Sequence, residues 1–113
     1  MASRTPTEKA RLSRRKGAAS ERDACRLWQE AGFPFAKRNL TQYQERSGRD
    51  IENTEPFVCQ VKCGKNINVW KALAEAEAEA KEGEIPLAMV RRDRGEWTVV
   101  ISWKEFARVI NPK

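Results

Sequence analysis

Four polar side chains in this sequence have the types needed to hydrolyse a phosphodiester bond: Glu21, Asp50, Gln60 and Lys62. Carboxylate and amide oxygens are hard ligands that suit Mg²⁺. A bound Mg²⁺ polarises a phosphate and lowers the pKa of a coordinated water. A nearby lysine can orient that water and offset the negative charge that grows in the transition state. The chemistry that these residue types favour is metal-assisted phosphodiester hydrolysis.

Glu21 lies on a segment with helical periodicity. The spacing of Ala24, Cys25 and Trp28 predicts a helix from residue 16 or 17 to about residue 31, which Gly32 and Pro34 end. Glu21 falls on the same apolar stripe, where a carboxylate is costly unless it is paired or bound to a metal. The alternative is a glutamate in a fraying first turn, where it favours the helix dipole.

Gln60 and Lys62 lie on the most strand-like segment of the chain, residues 57–63. A period of two places both on one face and Cys59 and Cys63 on the other. Asp50 begins a strand or bend ten residues before Gln60, so a hairpin would bring it beside that strand. Considered alone, each residue also has a structural interpretation. Lys62 is consistent with a side chain that extends its ammonium group to solvent, and Asp50 is consistent with a turn residue.

The rest of the chain predicts the elements that complete one α/β domain. We expect strands at residues 35–44, 85–92 and 96–102, and helices at residues 69–82 and 103–110, the last opened by a Ser102–Glu105 capping box. The predicted order is αββαββα, with a central mixed four-stranded sheet flanked by helices. Trp28, Trp70 and Trp97 are predicted in the core, and Phe106, Val109 and Ile110 face inward.

Charge and composition narrow the function classes. The chain of 113 residues carries a net charge of +6 and has no histidine, which excludes catalysis by imidazole and histidine-ligated metal sites. Residues 1–16 hold six basic side chains and one acidic side chain, so residues 1–15 are expected to be a flexible basic arm ahead of a domain at 16–113. The arm favours a polyanion partner such as DNA; the alternative is that it only aids solubility.

The number of cysteines and the length of the apolar runs indicate the cellular location that we expect. Cys25, Cys59 and Cys63 are too few and too odd in number for a disulfide scaffold, which favours reduced thiols in the cytoplasm. No apolar run approaches the ~20 residues of a membrane span, so no membrane partner is expected.

The combination resembles the PD-(D/E)xK nuclease superfamily. In the order and spacing of these residues it looks most like the small Holliday-junction resolvases of archaea and phages. The residues that carry the resemblance are Lys16-Gly17 with Glu21 in the first helix, Gly48-Arg49-Asp50, and Gln60-Val61-Lys62 on a strand. It implies a restriction-endonuclease-like fold, and Mg²⁺ (or Mn²⁺) held by Glu21, Asp50, Gln60 and the main-chain carbonyl of Val61. Lys62 would be the catalytic lysine.

Position 60 departs from the commoner pattern, which has Glu there. Three explanations stay open. In the first, the Gln is natural, since Mrr-type nucleases are similar and use Gln-x-Lys. In the second, a carboxylate of the second helix (Glu75, Glu77 or Glu79) substitutes for it. In the third, the fold is kept as a DNA-binding shell with weak or no catalysis.

The resemblance implies a Mg²⁺-dependent DNA endonuclease, foremost a resolvase of four-way junctions acting as a homodimer in the cytoplasm of a bacterial or infected host cell. The alternative is a catalytically weak or inactive nuclease-fold protein that acts as a DNA-binding or regulatory module. The side chains expected to contact DNA are Arg11, Arg14, Arg15, Lys16, Arg49 and Lys65. Arg91, Arg92 and Arg94, at a hairpin tip, fit either a contact to the DNA backbone or a solvated turn.

Overall fold

The computed structural model describes residues 6–40 and 49–112, without the side chains at positions 6 and 8–16. Within these ranges the chain forms three helices and five strands, in the order αβββαββα. They are α1 (Pro6–Glu30), β1 (Lys37–Arg38), β2 (Ile51–Glu52), β3 (Phe57–Cys63), α2 (Val69–Glu79), β4 (Ile85–Arg91), β5 (Thr98–Val100) and α3 (Trp103–Ile110).

The strands form two small sheets in place of the predicted four-stranded sheet. β1 and β2 pair antiparallel, whereas β3 pairs parallel with β4 and β4 pairs antiparallel with β5. β2 has only two residues because the chain turns at Asn53, whose φ is 67°. One backbone hydrogen bond, from Asp50 N–H to the Cys59 carbonyl at 3.2 Å, joins the start of β2 to β3. The α/β class is confirmed, but the single central sheet was wrong.

Both faces of the larger sheet are covered, each by a helix. On one face Ala24 and Cys25 of α1 pack with Cys59 and Val61 of β3 and with Leu87. On the other face Ala72 of α2 packs with Ala88 and Val90 of β4. The crossover from β3 to β4 through α2 is the connection that two parallel neighbouring strands require. The core therefore lies in two layers, and β3 separates them.

The predicted bounds of β3 and α3 are confirmed, whereas other ends differ. α1 begins at Pro6 instead of residue 16 or 17, since proline suits a first helical turn and Lys, Ala, Arg and Leu in the following residues favour helix. The predicted strand at 35–44 is reduced to β1, and its residues 41–44 lie outside the described residues. α2 ends at Glu79 because Glu84 accepts a hydrogen bond from Lys81 N–H at 2.9 Å, which holds a turn before β4.

Several aromatic and aliphatic side chains are more exposed than predicted. Trp70 is 75% exposed, so its place in the core was wrong; Ala72, Leu73 and Ala76 form the buried side of α2 instead. Phe106 and Ile110 of α3 are 40% and 60% exposed, so their inward orientation was also wrong. α3 follows β5 at the edge of the sheet and has no fully buried residue. In the described ranges no helix has the length and apolar character to cross a membrane.

Candidate active site at the edge of strand β3

Asp50 lies where the two sheets meet. Its backbone N–H donates to the Cys59 carbonyl, and its own carbonyl accepts from Asn39 N–H at 3.0 Å. Its carboxylate atom Oδ2 accepts a hydrogen bond from the backbone N–H of Val61 at 2.7 Å. Asp50 is 8% exposed. Three hydrogen bonds, one of them to the carboxylate, thus hold Asp50 between Asn39 and the middle of β3.

The surroundings of Asp50 make its negative charge costly. Burial raises the pKa of Asp50 to about 6, against the lowering effect of the hydrogen bond from Val61. The nearby carboxylates of Glu21 and Glu75 raise this pKa further, and the Lys62 ammonium lowers it. A cation at this position would relieve the accumulated negative charge, which is a property of metal sites.

Glu21 reaches Asp50 from the α1 side of the sheet. It is 7% exposed, which confirms that it lies on the apolar stripe of α1 rather than facing solvent. A buried carboxylate needs a partner, and the structure supplies Arg38 of β1, whose Nε lies 3.2 Å from Glu21 Oε1. No sequence pattern predicts this pair, since the two residues lie on different elements and share no periodicity.

Gln60 and Lys62 face the other helix. They pair in register with Ala88 and Val90, both of which pack against α2. Their shared face is therefore as predicted, and it is opposite to the face on which Glu21 lies. The candidate site consequently straddles the edge of β3, with one carboxylate from α1, one from the sheet junction and the lysine on the α2 side.

Glu75 completes the α2 side of the site. Its Oε2 lies 3.2 Å from Lys62 Nζ, and the two side chains are 36% and 43% exposed. Of the three acids of the second helix that were considered, Glu75 is the one that contacts Lys62, while Glu77 is exposed. Lys62 and Glu75 together line a groove of about 220 Å³ with Asn66, Asn68 and Lys71. The site is therefore open to solvent beside Lys62.

Gln60 is almost buried, yet its amide has no hydrogen-bond partner among the described residues. The residue is 6% exposed. No described side-chain nitrogen or oxygen is both fully buried and without a partner, so the amide atoms of Gln60 keep some contact with solvent. A nearly buried amide that is neither bonded nor sealed is available to a ligand or to ordered water.

The side chains expected to contact DNA fall into three groups. Arg11, Arg14, Arg15 and Lys16 belong to α1, but their side chains lie outside the described residues. Lys65 is exposed in the loop after β3. Arg49 forms a bidentate ion pair with Glu84, with distances of 2.8 and 2.9 Å. That contact raises the pKa of Arg49 and lowers the pKa of Glu84, and it ties the chain before β2 to the start of β4.

The carboxylates present are enough for magnesium, although they do not form a larger metal cluster. Across residues 6–40 and 49–112, no group of three or more His, Cys, Asp or Glu side chains is close enough to hold a metal ion. Mg²⁺ needs fewer protein ligands than such a group, because it commonly binds one or two carboxylates together with waters and substrate phosphates. Asp50 and Glu21 supply the two carboxylates of that smaller donor set, and the Gln60 amide lies on the α2 side of β3.

The three cysteines are free thiols. Cys25 and Cys59 are buried on the α1 face, and Cys63 is partly exposed at the end of β3. Burial raises the pKa of Cys59 to about 12. Cys59 is therefore a core side chain, as predicted, rather than a nucleophile or a metal ligand.

Comparisons of the chain with family models, with curated proteins and with solved structures found no match.

Proposed function

We propose that this protein is a metal-dependent DNA endonuclease. The observation that carries the proposal is the buried Asp50 carboxylate, which is held at 2.7 Å by Val61 N–H and lies within electrostatic reach of Glu21, Lys62 and Glu75. This combination of acids and one lysine beside a strand edge is the one whose residue types suit phosphodiester hydrolysis. Its resemblance to the PD-(D/E)xK pattern lies in the order of these residues along the chain.

The residues have separable roles in the proposed reaction. Asp50 and Glu21 would hold Mg²⁺, with the Gln60 amide as a neutral ligand. When bound, the ion polarises the phosphate and supplies a water of lowered pKa. Lys62 faces the open groove, where its ammonium offsets negative charge on the attacked phosphate.

Glu75 supports the explanation in which a helix-2 acid compensates for the missing charge at position 60. Its carboxylate acts on both Lys62 and Asp50. In the proposed enzyme Glu75 orients the lysine and adds the negative charge that the Gln60 amide lacks. This role is tested by comparing the metal-dependent cleavage of Glu75→Gln with that of Glu77→Gln. Glu77 is the control because it is exposed two residues further along the same helix.

The finer proposal is a resolvase that cuts four-way junctions as a homodimer. Resolving a junction needs two symmetric cuts, which a twofold dimer supplies. The test offers a four-way junction, a duplex and a single strand of the same sequence with Mg²⁺, Mn²⁺ or EDTA. Preferential, paired cutting of the junction is the expected result, and equal cutting of the duplex would leave a nuclease but exclude a resolvase.

The same assay tests the catalytic assignment. Asp50→Asn and Lys62→Gln should lower metal-dependent cleavage at least 100-fold, a loss typical of residues that act directly on the reacting group, of order 10²–10⁴-fold. Asp93→Asn and Lys104→Gln serve as controls of the same residue types in exposed positions. Cleavage that survives both site substitutions would overturn the assignment.

The second candidate is a DNA-binding module without catalysis. The Glu21–Arg38 pair favours it, because a guanidinium already neutralises one of the two proposed metal ligands. DNA binding with no cleavage in any metal, unchanged by Asp50→Asn, would support this candidate over the enzyme.

A further inference from the structure

A groove lies at the end of the sheet where β3 and β4 both finish. The two strands are parallel, with Cys63 in register with Arg91, and Gly64 N–H donates to the Arg91 carbonyl at 3.1 Å. The loop of residues 65–69 forms one wall, and the turn between β4 and β5 forms the other, including Arg92 and Thr98. The groove between them has a volume of about 790 Å³. We call it the hairpin groove.

The hairpin groove continues into the candidate site. The smaller groove that holds Lys62 and Glu75 shares Asn66, Ile67 and Asn68 with it. The two grooves therefore adjoin along residues 66–68, so a chain of phosphates that passes Lys62 comes next to the hairpin groove.

The charged side chains that line the hairpin groove are two basic residues, Lys65 and Arg92, and one acidic residue, Glu96. Lys65 and Arg92 are exposed, and neither has an ion pair with another of the described residues. The groove at the opposite end of the sheet has the reverse balance, with four acidic residues (Glu52, Glu55, Glu79 and Glu84) and two basic ones (Arg49 and Lys81). An extended polyanion is therefore drawn to one end of the sheet and repelled from the other.

The turn that carries the arginines is fixed in place. Arg91 Nε donates to the Gly95 carbonyl at 2.8 Å, and Gly95 N–H donates to the Arg92 carbonyl at 2.7 Å. Trp97 Nε1 donates to Asp23 Oδ2 at 2.7 Å, which ties the hairpin to α1. Arg92 therefore extends from a rigid turn, so little conformational entropy is lost when it binds.

We propose that the hairpin groove binds the DNA strand next to the phosphate that lies at Lys62, with Lys65 and Arg92 contacting its backbone phosphates. The inference rests on the proposed function for its choice of DNA, and it adds a binding surface separate from the basic N-terminal segment. Guanidinium groups suit it because they bind phosphate oxygens in a bidentate manner.

The experiment measures binding of a fluorescent four-way junction and duplex by anisotropy in EDTA, with the full chain, between 50 and 200 mM salt. Lys65→Gln/Arg92→Gln is compared with Lys81→Gln/Lys104→Gln, which removes the same charge from exposed positions that do not line the hairpin groove. Each lost phosphate contact lowers the slope of log affinity against log salt by about 0.9. Over this salt range the groove variant should thus lose about 12-fold less affinity than the unaltered protein.

The outcomes separate the two proposals. The groove assignment is overturned if the slope of log affinity against log salt is unchanged in the groove variant, or if the control lowers it equally. This holds even if the protein cuts DNA. A lowered slope in the groove variant alone supports it, whether or not Mg²⁺ then produces cleavage. Binding to vesicles of anionic phospholipid in place of DNA, lost in the same variant, would overturn DNA as the occupant. Thermal melting of both variants confirms that each is folded.

Discussion

The carboxylate of Asp50 accepts a hydrogen bond from Val61 N–H at 2.7 Å. This bond crosses from the first residue before β2 to the centre of β3, so the proposed metal ligand and the strand that carries Gln60 and Lys62 have a fixed relative position. The candidate site therefore combines residues of two sheets whose relative position is set by this bond.

The raised pKa of Asp50 predicts a pH-dependent stability. A carboxyl whose pKa rises from 3.8 to about 6 on folding resists ionisation in the folded state, so its destabilising effect develops between pH 4 and pH 6 and is complete above pH 6. Asp50→Asn keeps an oxygen for the Val61 hydrogen bond and removes the charge. In EDTA at pH 8 it should raise the free energy of unfolding by about 3 kcal/mol, and by almost nothing below pH 4.

Urea denaturation at several pH values checks this prediction. Asp93→Asn is the control, because Asp93 is exposed. A lower stability of Asp50→Asn at pH 8 would show that the ionised carboxylate is stabilised in the fold, contrary to the prediction.

Arg38 is predicted to be essential for stability because it pairs with a buried acid. The side chains of Arg38 and Glu21 are 20% and 9% exposed. Removal of one partner of such a pair leaves a buried charge, so Arg38→Gln should cost about 3 kcal/mol of unfolding free energy. Adding Glu21→Gln should recover most of that loss. Equal losses in Arg38→Gln and in Lys37→Gln, its exposed neighbour, would contradict this role.

Gln60→Glu tests whether position 60 is a metal ligand. A carboxylate there adds one negative charge to the donor set, so half-maximal protection against thermal unfolding should occur at about tenfold lower Mg²⁺. Asn111→Asp adds the same charge beyond α3 and should leave the Mg²⁺ midpoint unchanged. If the Gln60→Glu midpoint also stays unchanged, Gln60 does not contact the ion.

Thiol labelling tests the packing of the α1 face. The thiolate is the reactive form of cysteine, and burial raises the pKa of both Cys59 and Cys25 above the usual value. In the native protein at pH 8, iodoacetamide should leave Cys25 and Cys59 unmodified for hours, whereas all three cysteines should react in 6 M guanidinium. Mass spectrometry of the digested protein locates the label. Rapid native labelling of Cys59 would show that the layer between α1 and β3 opens.

Elements with strong local signals were predictable from the sequence. β3 contains Phe57, Val58 and Val61 between a turn and Gly64, and α3 begins at a Ser102 cap that accepts from Glu105 N–H. The burial of Glu21 followed from helical spacing alone, because that spacing depends only on the geometry of one element.

Contacts between distant elements were not predictable in the same way. Nothing near Asp23 in the sequence indicates that its carboxylate accepts from Trp97, 74 residues away. The exposure of Trp70 likewise depends on which side of α2 meets the sheet. Because the three turns of α2 are rich in alanine, tertiary packing decides which side is buried. The choice of Glu75 among three alternating glutamates was open for the same reason.

The junction at Asp50 also has a consequence for partly unfolded molecules. The smaller sheet is joined to β3 by few hydrogen bonds, and Asp50 makes two of them. When that junction opens, the side chain and backbone of Asp50 separate from β3, while Lys62 stays on β3 and Glu75 stays on α2. The acid and the lysine thus come together only in the fully assembled fold, so the proposed nuclease activity is expected to arise late in folding and to be lost early in unfolding.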